Sequence, residues 1–248
     1  VTAFLFVTDL DNTLVGDDAA LDRLNQKLSQ HRQQFGTKII YATGRSLYLY
    51  RQLAEEKSLL SPDLLIASVG TEIYADPDRQ NYDSDWANIL SIGWNREQIT
   101  EIASKYSELT PQPRSEQNDF KVSFYLDEQA AREILPKLEA DLLDRGLAVK
   151  SIYSAGQDLD LLPQKGDKGL ALQFLRQKLG INAARTVVCG DSGNDIALFK
   201  GNERGVIVGN AKSELYQWYQ NNQTDYRYLA QAHYSAGILE GLNYFGFF

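Results

Sequence analysis

Two short acidic segments carry the residues best suited to covalent chemistry. Asp9-Leu10-Asp11-Asn12-Thr13 follows the apolar run Phe4-Leu5-Phe6-Val7. Two carboxylates spaced two apart at a strand end project to similar depth, so both can face one reacting atom. Gly190-Asp191-Ser192-Gly193-Asn194-Asp195 follows a second apolar run, Thr186-Val187-Val188-Cys189. Its glycines permit tight turns, and its clustered carboxylates repel one another unless a cation sits among them. Oxygen-only ligands suit Mg²⁺ better than zinc. Taken singly, each segment also fits a solvated turn whose side chains bond nearby backbone amides.

Two further positions could hold an anion. Thr43-Gly44-Arg45 ends the run Lys38-Ile39-Ile40-Tyr41-Ala42, where a hydroxyl, backbone amides and a guanidinium could grip phosphate oxygens. Helix capping by Thr43 or Ser46 explains the same residues. Lys168 opens a helix after Gly166-Asp167. A lysine in a first turn opposes the helix dipole, so an anion held there would account for it.

The elements needed to bring these segments together are legible. Continuous apolar runs of four or five residues, at 4–7, 38–42, 64–67, 186–189 and 205–208, predict strands buried on both faces, as in a parallel sheet. Helical stripes lie between them: Leu21, Leu24 and Leu28 after Asp17 or Asp18, and Leu170, Phe174, Leu175 and Leu179 closed by Gly180. The alternation predicts an α/β fold, a doubly wound parallel sheet with its active site beyond the carboxyl ends of the strands.

The middle of the chain changes register. Asn95 with Gln98 starts a capped helix, and Lys121 to Leu126 alternates as a half-exposed antiparallel strand should. Pro136 interrupts the next helical pattern and predicts a kink or break. Residues 148–153 and 158–162 form a hairpin about Ala155-Gly156. The expected organisation is therefore a core of residues 1–81 and 161–248, with an inserted α+β cap over 82–160, hinged near 80–83 and 160–164.

Bulk composition narrows the partners. A net charge of −8, from 33 acidic and 25 basic residues, argues against nucleic acid, which needs a basic face. The single cysteine, Cys189, forms no intrachain disulfide and fits a reducing compartment. The N-terminal apolar stretch is too short for a signal or membrane span, so no membrane partner and a cytoplasmic setting are expected. No G-x-G-x-x-G follows the first strand, which excludes a Rossmann dehydrogenase, and no Walker loop is present.

Asp9, Thr43, Lys168 and Asp191 occur in an order that resembles the four motifs of the haloacid dehalogenase superfamily of phosphohydrolases, over essentially the whole chain. Within it, five segments resemble the sucrose-phosphate phosphatase branch: Thr8 to Thr13, Tyr41 to Ser46, Val69 to Tyr74, Asp158 to Pro163, and Gly190 to Asp195. The resemblance implies Asp9 as nucleophile, Asp11 as acid and base, and Lys168 and Thr43 on the phosphoryl oxygens. It implies Mg²⁺ held by Asp9, the backbone carbonyl of Asp11, and Asp191, with Asp195 and Asn194 in support. Gly44 and Arg45 would bind substrate, and Glu72, Gln117, Asn118 and Lys121 are the expected sugar contacts. The implied substrate is sucrose 6-phosphate, in the last step of sucrose synthesis, and a sucrose-phosphate synthase is a partner to consider. The alternatives are a phosphatase of trehalose 6-phosphate, mannosylglycerate phosphate or monosaccharide phosphates, or a non-catalytic sugar-phosphate-binding module.

Overall fold

The computed structural model describes residues 2–248. The first stretch alternates strand and helix as β1 (Leu5–Thr8), α1 (Asp18–Phe35), β2 (Lys38–Ala42), α2 (Leu47–Glu56) and β3 (Leu64–Ala67), then turns back through β4 (Glu72–Tyr74). The middle runs α3 (Ser84–Leu90), α4 (Arg96–Ala103), β5 (Thr110–Pro111), β6 (Val122–Tyr125), α5 (Glu128–Asp144), β7 (Val149–Ser154) and β8 (Asp158–Pro163). The last part returns to alternation with α6 (Lys168–Leu179), β9 (Thr186–Gly190), β10 (Arg204–Ile207), α7 (Ser213–Asn221), β11 (Arg227–Leu229) and α8 (Tyr234–Tyr244).

The expected doubly wound sheet is present, in the order β11-β10-β9-β1-β2-β3-β4. Every neighbouring pair is parallel except β3 and β4. β1 lies at its centre, with Val7 opposite Ile40 on one side and Val188 on the other. Alternate residues feed two apolar layers: Phe6, Tyr41 and Val187 pack under α1 and α8, and Leu5, Val7, Ile40 and Val188 pack with α6. Burial on both faces is why these strands read as unbroken apolar runs. Because β1, β2 and β9 are adjacent and parallel, residues 9–13, 43–45 and 190–195 all leave the same edge.

Caps written in the sequence hold the helices in place. Asp17 accepts from the Ala20 N–H, and Gly36 and Gly180 close α1 and α6 in the left-handed conformation. Asp167 caps α6 by accepting from the Leu170 N–H, which fixes where Lys168 starts.

The second sheet is antiparallel, in the order β5-β6-β8-β7, with its own apolar layer of Ile99, Val122, Phe124, Ile134, Leu138, Leu159 and Leu161. Within the expected insertion, α3 packs with the large sheet instead, through Trp86 and Leu90. Two sequence expectations are revised here. The polar face of β6 is exposed only at its end: Tyr125 is open, but Ser123 is buried and Lys121 is 2% exposed, because that part of the face looks onto the large sheet's carboxyl edge rather than onto water. Nor does Pro136 break α5, which runs through it. Pro136 and Arg132 lie on the exposed face, so the carbonyl four residues back is free to hydrate.

Candidate active site

Asp9 continues the parallel ladder of β1, its N–H donating to the Cys189 carbonyl at 3.0 Å. The chain then turns sharply: the N–H groups of Thr13, Leu14 and Val15 all donate to the Leu10 carbonyl. Asn12 takes φ 58° in this turn, a conformation asparagine tolerates better than most residues. The turn aims Thr13 at the other acidic segment, where its hydroxyl donates to Asp191 Oδ1 at 3.1 Å.

Lys168 ties the pieces together. Its side chain is fully buried, and Nζ donates to Asp9 Oδ1 at 2.7 Å, Asp195 Oδ1 at 2.7 Å and Asn194 Oδ1 at 2.9 Å. All three ammonium donors are thereby used. The anions that explain a lysine at this helix start are carboxylates of the protein. The second oxygen of Asp195 accepts from the Asp191 and Ser192 N–H groups at 3.0 and 3.1 Å, so both ends of this carboxylate are committed.

Burial pushes the Asp9 carboxyl well above the ordinary carboxylate range; the Asp195 charge adds to the rise, and Lys168 only partly opposes it. Asp191 is pushed up to about 7 by burial and by Asp195. Lys168 shifts the opposite way to what burial alone would do: burial pulls it down, but Asp195 and Asp9 outweigh that and hold it above its usual value. A raised Asp9 and a raised Lys168 conflict if they are treated as an isolated pair. They agree once the count is made: one ammonium faces three buried carboxylates, so Lys168 stays charged and negative charge remains unmatched.

That surplus is what a divalent cation would relieve. Asp9, Asp191 and Asp195 each bring a carboxylate oxygen within 4.8 Å of the others. With Asp195 already occupied, the available donors are Asp9 and Asp191; among the described residues no hydrogen-bond donor meets Oδ2 of either. A hard, oxygen-liganded ion such as Mg²⁺ fits this donor set.

The edge of β2 contributes the rest. Thr43 is buried, and its Oγ1 accepts from the Arg45 N–H at 3.0 Å, leaving the hydroxyl proton without an acceptor among the described residues. Arg45 grips Asp11 with two bonds, Nε to Oδ2 at 2.7 Å and Nη2 to Oδ1 at 2.8 Å. That pairing raises the guanidinium above its ordinary value.

A cleft of about 450 Å³ opens over this floor, within the usual range for small-molecule sites. Asp9, Asp11, Gly44, Arg45, Asp191 and Asn194 line its base. Its roof is the polar face of the small sheet, made by Glu116, Lys121, Tyr125, Asp158 and Asp160. Register explains that face: Ser123 lies opposite Asp160 and Tyr125 opposite Asp158. Lys121 Nζ sits 3.3 Å from Asp160 and 3.8 Å from Glu116, and Ser123 donates to Asp160 at 2.5 Å.

Of the expected sugar contacts, only Lys121 lines the cleft. Glu72 lies behind it, accepting from Ser68 Oγ at 3.0 Å, and burial raises its carboxyl. Gln117 is spent on its own loop, donating to the Gln112 and Ser123 carbonyls and accepting from the Ser123 N–H. Asn118 bridges the two sheets, its Nδ2 donating to Thr71 Oγ1 at 2.9 Å. Gln117 and Asn118 line a separate groove at the outer edge of the small sheet, which contains none of the buried carboxylates. Cleft residues to which the sequence assigned no site role include Glu116, Tyr125, Asp158, Asp160 and Lys212. A signal for three of them was present, since Asp158 and Asp160 alternate with Leu159 and Leu161, and Tyr125 shares the period of Lys121.

Comparison with known proteins places this geometry. The chain is 41% identical to sucrose-phosphatase 1 of Nicotiana tabacum over 97% of its length, but covers only 59% of that relative. It is 34% identical to the mannosylfructose-phosphate phosphatase of Agrobacterium fabrum, covering 98% of this chain and 96% of that one. The sucrose-phosphatase of Synechocystis sp. PCC6803, solved with sucrose and phosphate, superposes with a TM-score of 0.92 at 42% identity over 99% of this chain and 98% of that one. The family model described as sucrose-6F-phosphate phosphohydrolase matches residues 2–246. The chain belongs to the sucrose-6F-phosphate phosphohydrolase family.

Proposed function

We propose that this chain hydrolyses sucrose 6-phosphate to sucrose and inorganic phosphate through an aspartyl-phosphate on Asp9. The observation that carries the reading is the buried assembly of Asp9, Lys168, Asp195 and Asp191 at the floor of a cleft with a hydroxyl-binding roof.

The Asp9 carboxylate attacks phosphorus in line; the P–O bond to the sugar breaks as the new bond forms. Lys168 holds Asp9 Oδ1, which orients the attacking oxygen, and the free Thr43 proton offers a donor to an equatorial oxygen. Asp11 gives a proton to the departing sugar oxygen. In the second step water attacks phosphorus and gives a proton to Asp11, and the bond to Asp9 breaks, which restores the acid. Arg45 takes both oxygens of Asp11, so the two must part before Asp11 can reach the sugar oxygen. A Mg²⁺ ion would be held by Asp9, Asp191 and the Asp11 carbonyl, where it would supply charge neutralisation for the transferring group.

The cap roof supports a polyol ligand. Carboxylates at 116, 158 and 160 accept sugar hydroxyls, Lys121 donates, and Tyr125 offers a ring face. The inserted segment near 82–160 is read as this cap, and Glu72, Gln117 and Asn118 as supports of it rather than contacts. A cytoplasmic setting and a sucrose-phosphate synthase partner belong to the same reading. The relative that acts on mannosylfructose phosphate favours a second disaccharide phosphate as the rival substrate.

The deciding experiment is phosphate release from sucrose 6-phosphate beside mannosylfructose phosphate, trehalose 6-phosphate and fructose 6-phosphate, with Mg²⁺ and with chelator. Sucrose 6-phosphate should lead in kcat/KM, chelation should remove turnover and Mg²⁺ restore it. Asp9→Asn should be inactive yet folded, because its carboxamide oxygen still accepts from Lys168. Turnover by pure Asp9→Asn protein, or preference for a monosaccharide phosphate, overturns the reading.

A further inference from the structure

The tip of the β7–β8 hairpin closes one side of the cleft, with Ser154, Ala155 and Gln157 among its lining residues. Ala155 and Gly156 take φ 54° and 72°, and the Gln157 N–H donates to the Ser154 carbonyl at 3.2 Å. Positive φ at both central residues makes the two-residue turn that suits hairpin twist, but alanine at the first position is strained. The strain has a visible use. The turn points the Ala155 N–H away from the hairpin, where it donates to Glu214 Oε1 at 3.1 Å.

Glu214 belongs to the first turn of α7, in the large sheet's layer, and the same oxygen accepts from the Gly193 N–H at 3.4 Å. One carboxylate oxygen thus joins the hairpin tip to the acidic loop that carries Asp191, Asn194 and Asp195. The approach at that loop is close: a Cβ on Gly193 would lie 3.0 Å from the Tyr153 carbonyl oxygen and 3.0 Å from Glu214 Cγ. A side chain at 193 would require the hairpin or Glu214 to give by a few tenths of an ångström.

Position along the hairpin decides what this contact can do. Lys150 pairs with Leu162 and forms an ion pair with Asp167, beside the point where β8 returns to α6. Ala155 is five residues further along, about 15 Å away at strand spacing. A bond at the far end resists rotation about the linkers with the longer lever arm, whereas the Lys150–Asp167 pair sits near the pivot.

We propose that Glu214 is a positioning residue that latches the hairpin tip onto the 190–195 loop, so that the sugar-binding roof is in register with the phosphoryl site. Its kinetic consequence rests on the sugar-phosphatase reading above; its structural consequence does not. A substrate that needs the roof depends on the latch, and one too small to reach the roof does not.

The test is hydrogen exchange of the intact protein over 153–157 in wild type, Glu214→Ala and Glu214→Gln, together with turnover of sucrose 6-phosphate and of p-nitrophenyl phosphate. Glu214→Ala should exchange at least about tenfold faster over 153–157, as loss of a bond to a charged acceptor implies. Its kcat/KM for sucrose 6-phosphate should fall about tenfold, chiefly through KM, with the aryl phosphate changed less than about twofold. Glu214→Gln, whose carbonyl oxygen can accept the same N–H groups, should recover most of both losses. Unchanged exchange in Glu214→Ala overturns the latch, as does an equal loss on both substrates, which would mean that Glu214 serves only the metal loop. If wild type ignores sucrose 6-phosphate but exchange still depends on Glu214, the substrate assignment falls and the latch stands.

Discussion

Lys168 does two jobs that point the same way. In the proposed mechanism it orients Asp9 for attack, and among the described residues its ammonium is the one bonded to the buried carboxylates of Asp9 and Asp195. Removing one partner of a buried ion pair leaves uncompensated charge and typically costs about 3–5 kcal/mol. Lys168→Ala is therefore expected to lower stability to denaturant by about 3 kcal/mol and to abolish turnover, with added Mg²⁺ recovering part of the stability and none of the activity. A variant that melts like wild type without metal would show that the carboxylates do not depend on this ammonium. The positions in this centre were legible as candidates: spacing and neighbouring apolar runs single out Asp9, Asp11, Thr43, Lys168 and the 190–195 run, and the order of the four motifs, through the family resemblance, gives them roles. What spacing could not say is which oxygen each donor takes. That Asp195 is filled by Lys168 and two backbone amides, while Asp191 keeps an oxygen free, depends on atoms up to 27 residues apart.

At the scale of elements, the active edge depends on close backbone approach. Gly70 follows β3 with φ 95°, and a Cβ there would lie 2.2 Å from the Asp167 carbonyl carbon and 2.5 Å from the Lys168 nitrogen. Its carbonyl also accepts from Trp86 Nε1 at 3.0 Å. Gly70→Ala should cost at least about 1–3 kcal/mol, from backbone strain alone, and should displace the start of α6. The measurement is the urea midpoint together with Mg²⁺-dependent turnover, and a loss of stability with full activity would mean that α6 tolerates the shift. Strands and helix caps were legible because periodicity and caps are local properties. The burial of Lys121 and Ser123 on β6 was not legible for the complementary reason: alternation shows that two faces differ, but not how much of the polar one meets water or a second sheet.

At the scale of the molecule, the ties between the two sheets include the polar pairs Asn118 with Thr71, Tyr82 with Asp119, Lys150 with Asp167 and Glu214 with Ala155, and the packing of Phe120 on the large sheet's layer. Such small, partly polar contacts between units favour relative motion. Small-angle scattering with sucrose and an inert phosphate mimic together should therefore give a smaller radius of gyration than the free protein. No compaction would remove support for gating by the cap.

The amino-acid order alone determined the alternating core, the inserted change of register, and the identity of the acidic, threonine and lysine positions. Each of these rests on interactions within a few residues, where spacing and backbone geometry leave little choice. Only the tertiary structure decided which polar residues face the cleft. Glu72 turned to Ser68 and Gln117 to its own loop, while Asp158 and Asp160 reached the roof through their pairing with β6. It also decided that Glu214, in a helix far along the chain, meets the hairpin tip. A side chain's partner is chosen by which surfaces pack together and what that packing hides from water, and neither is a property of neighbouring positions in the chain.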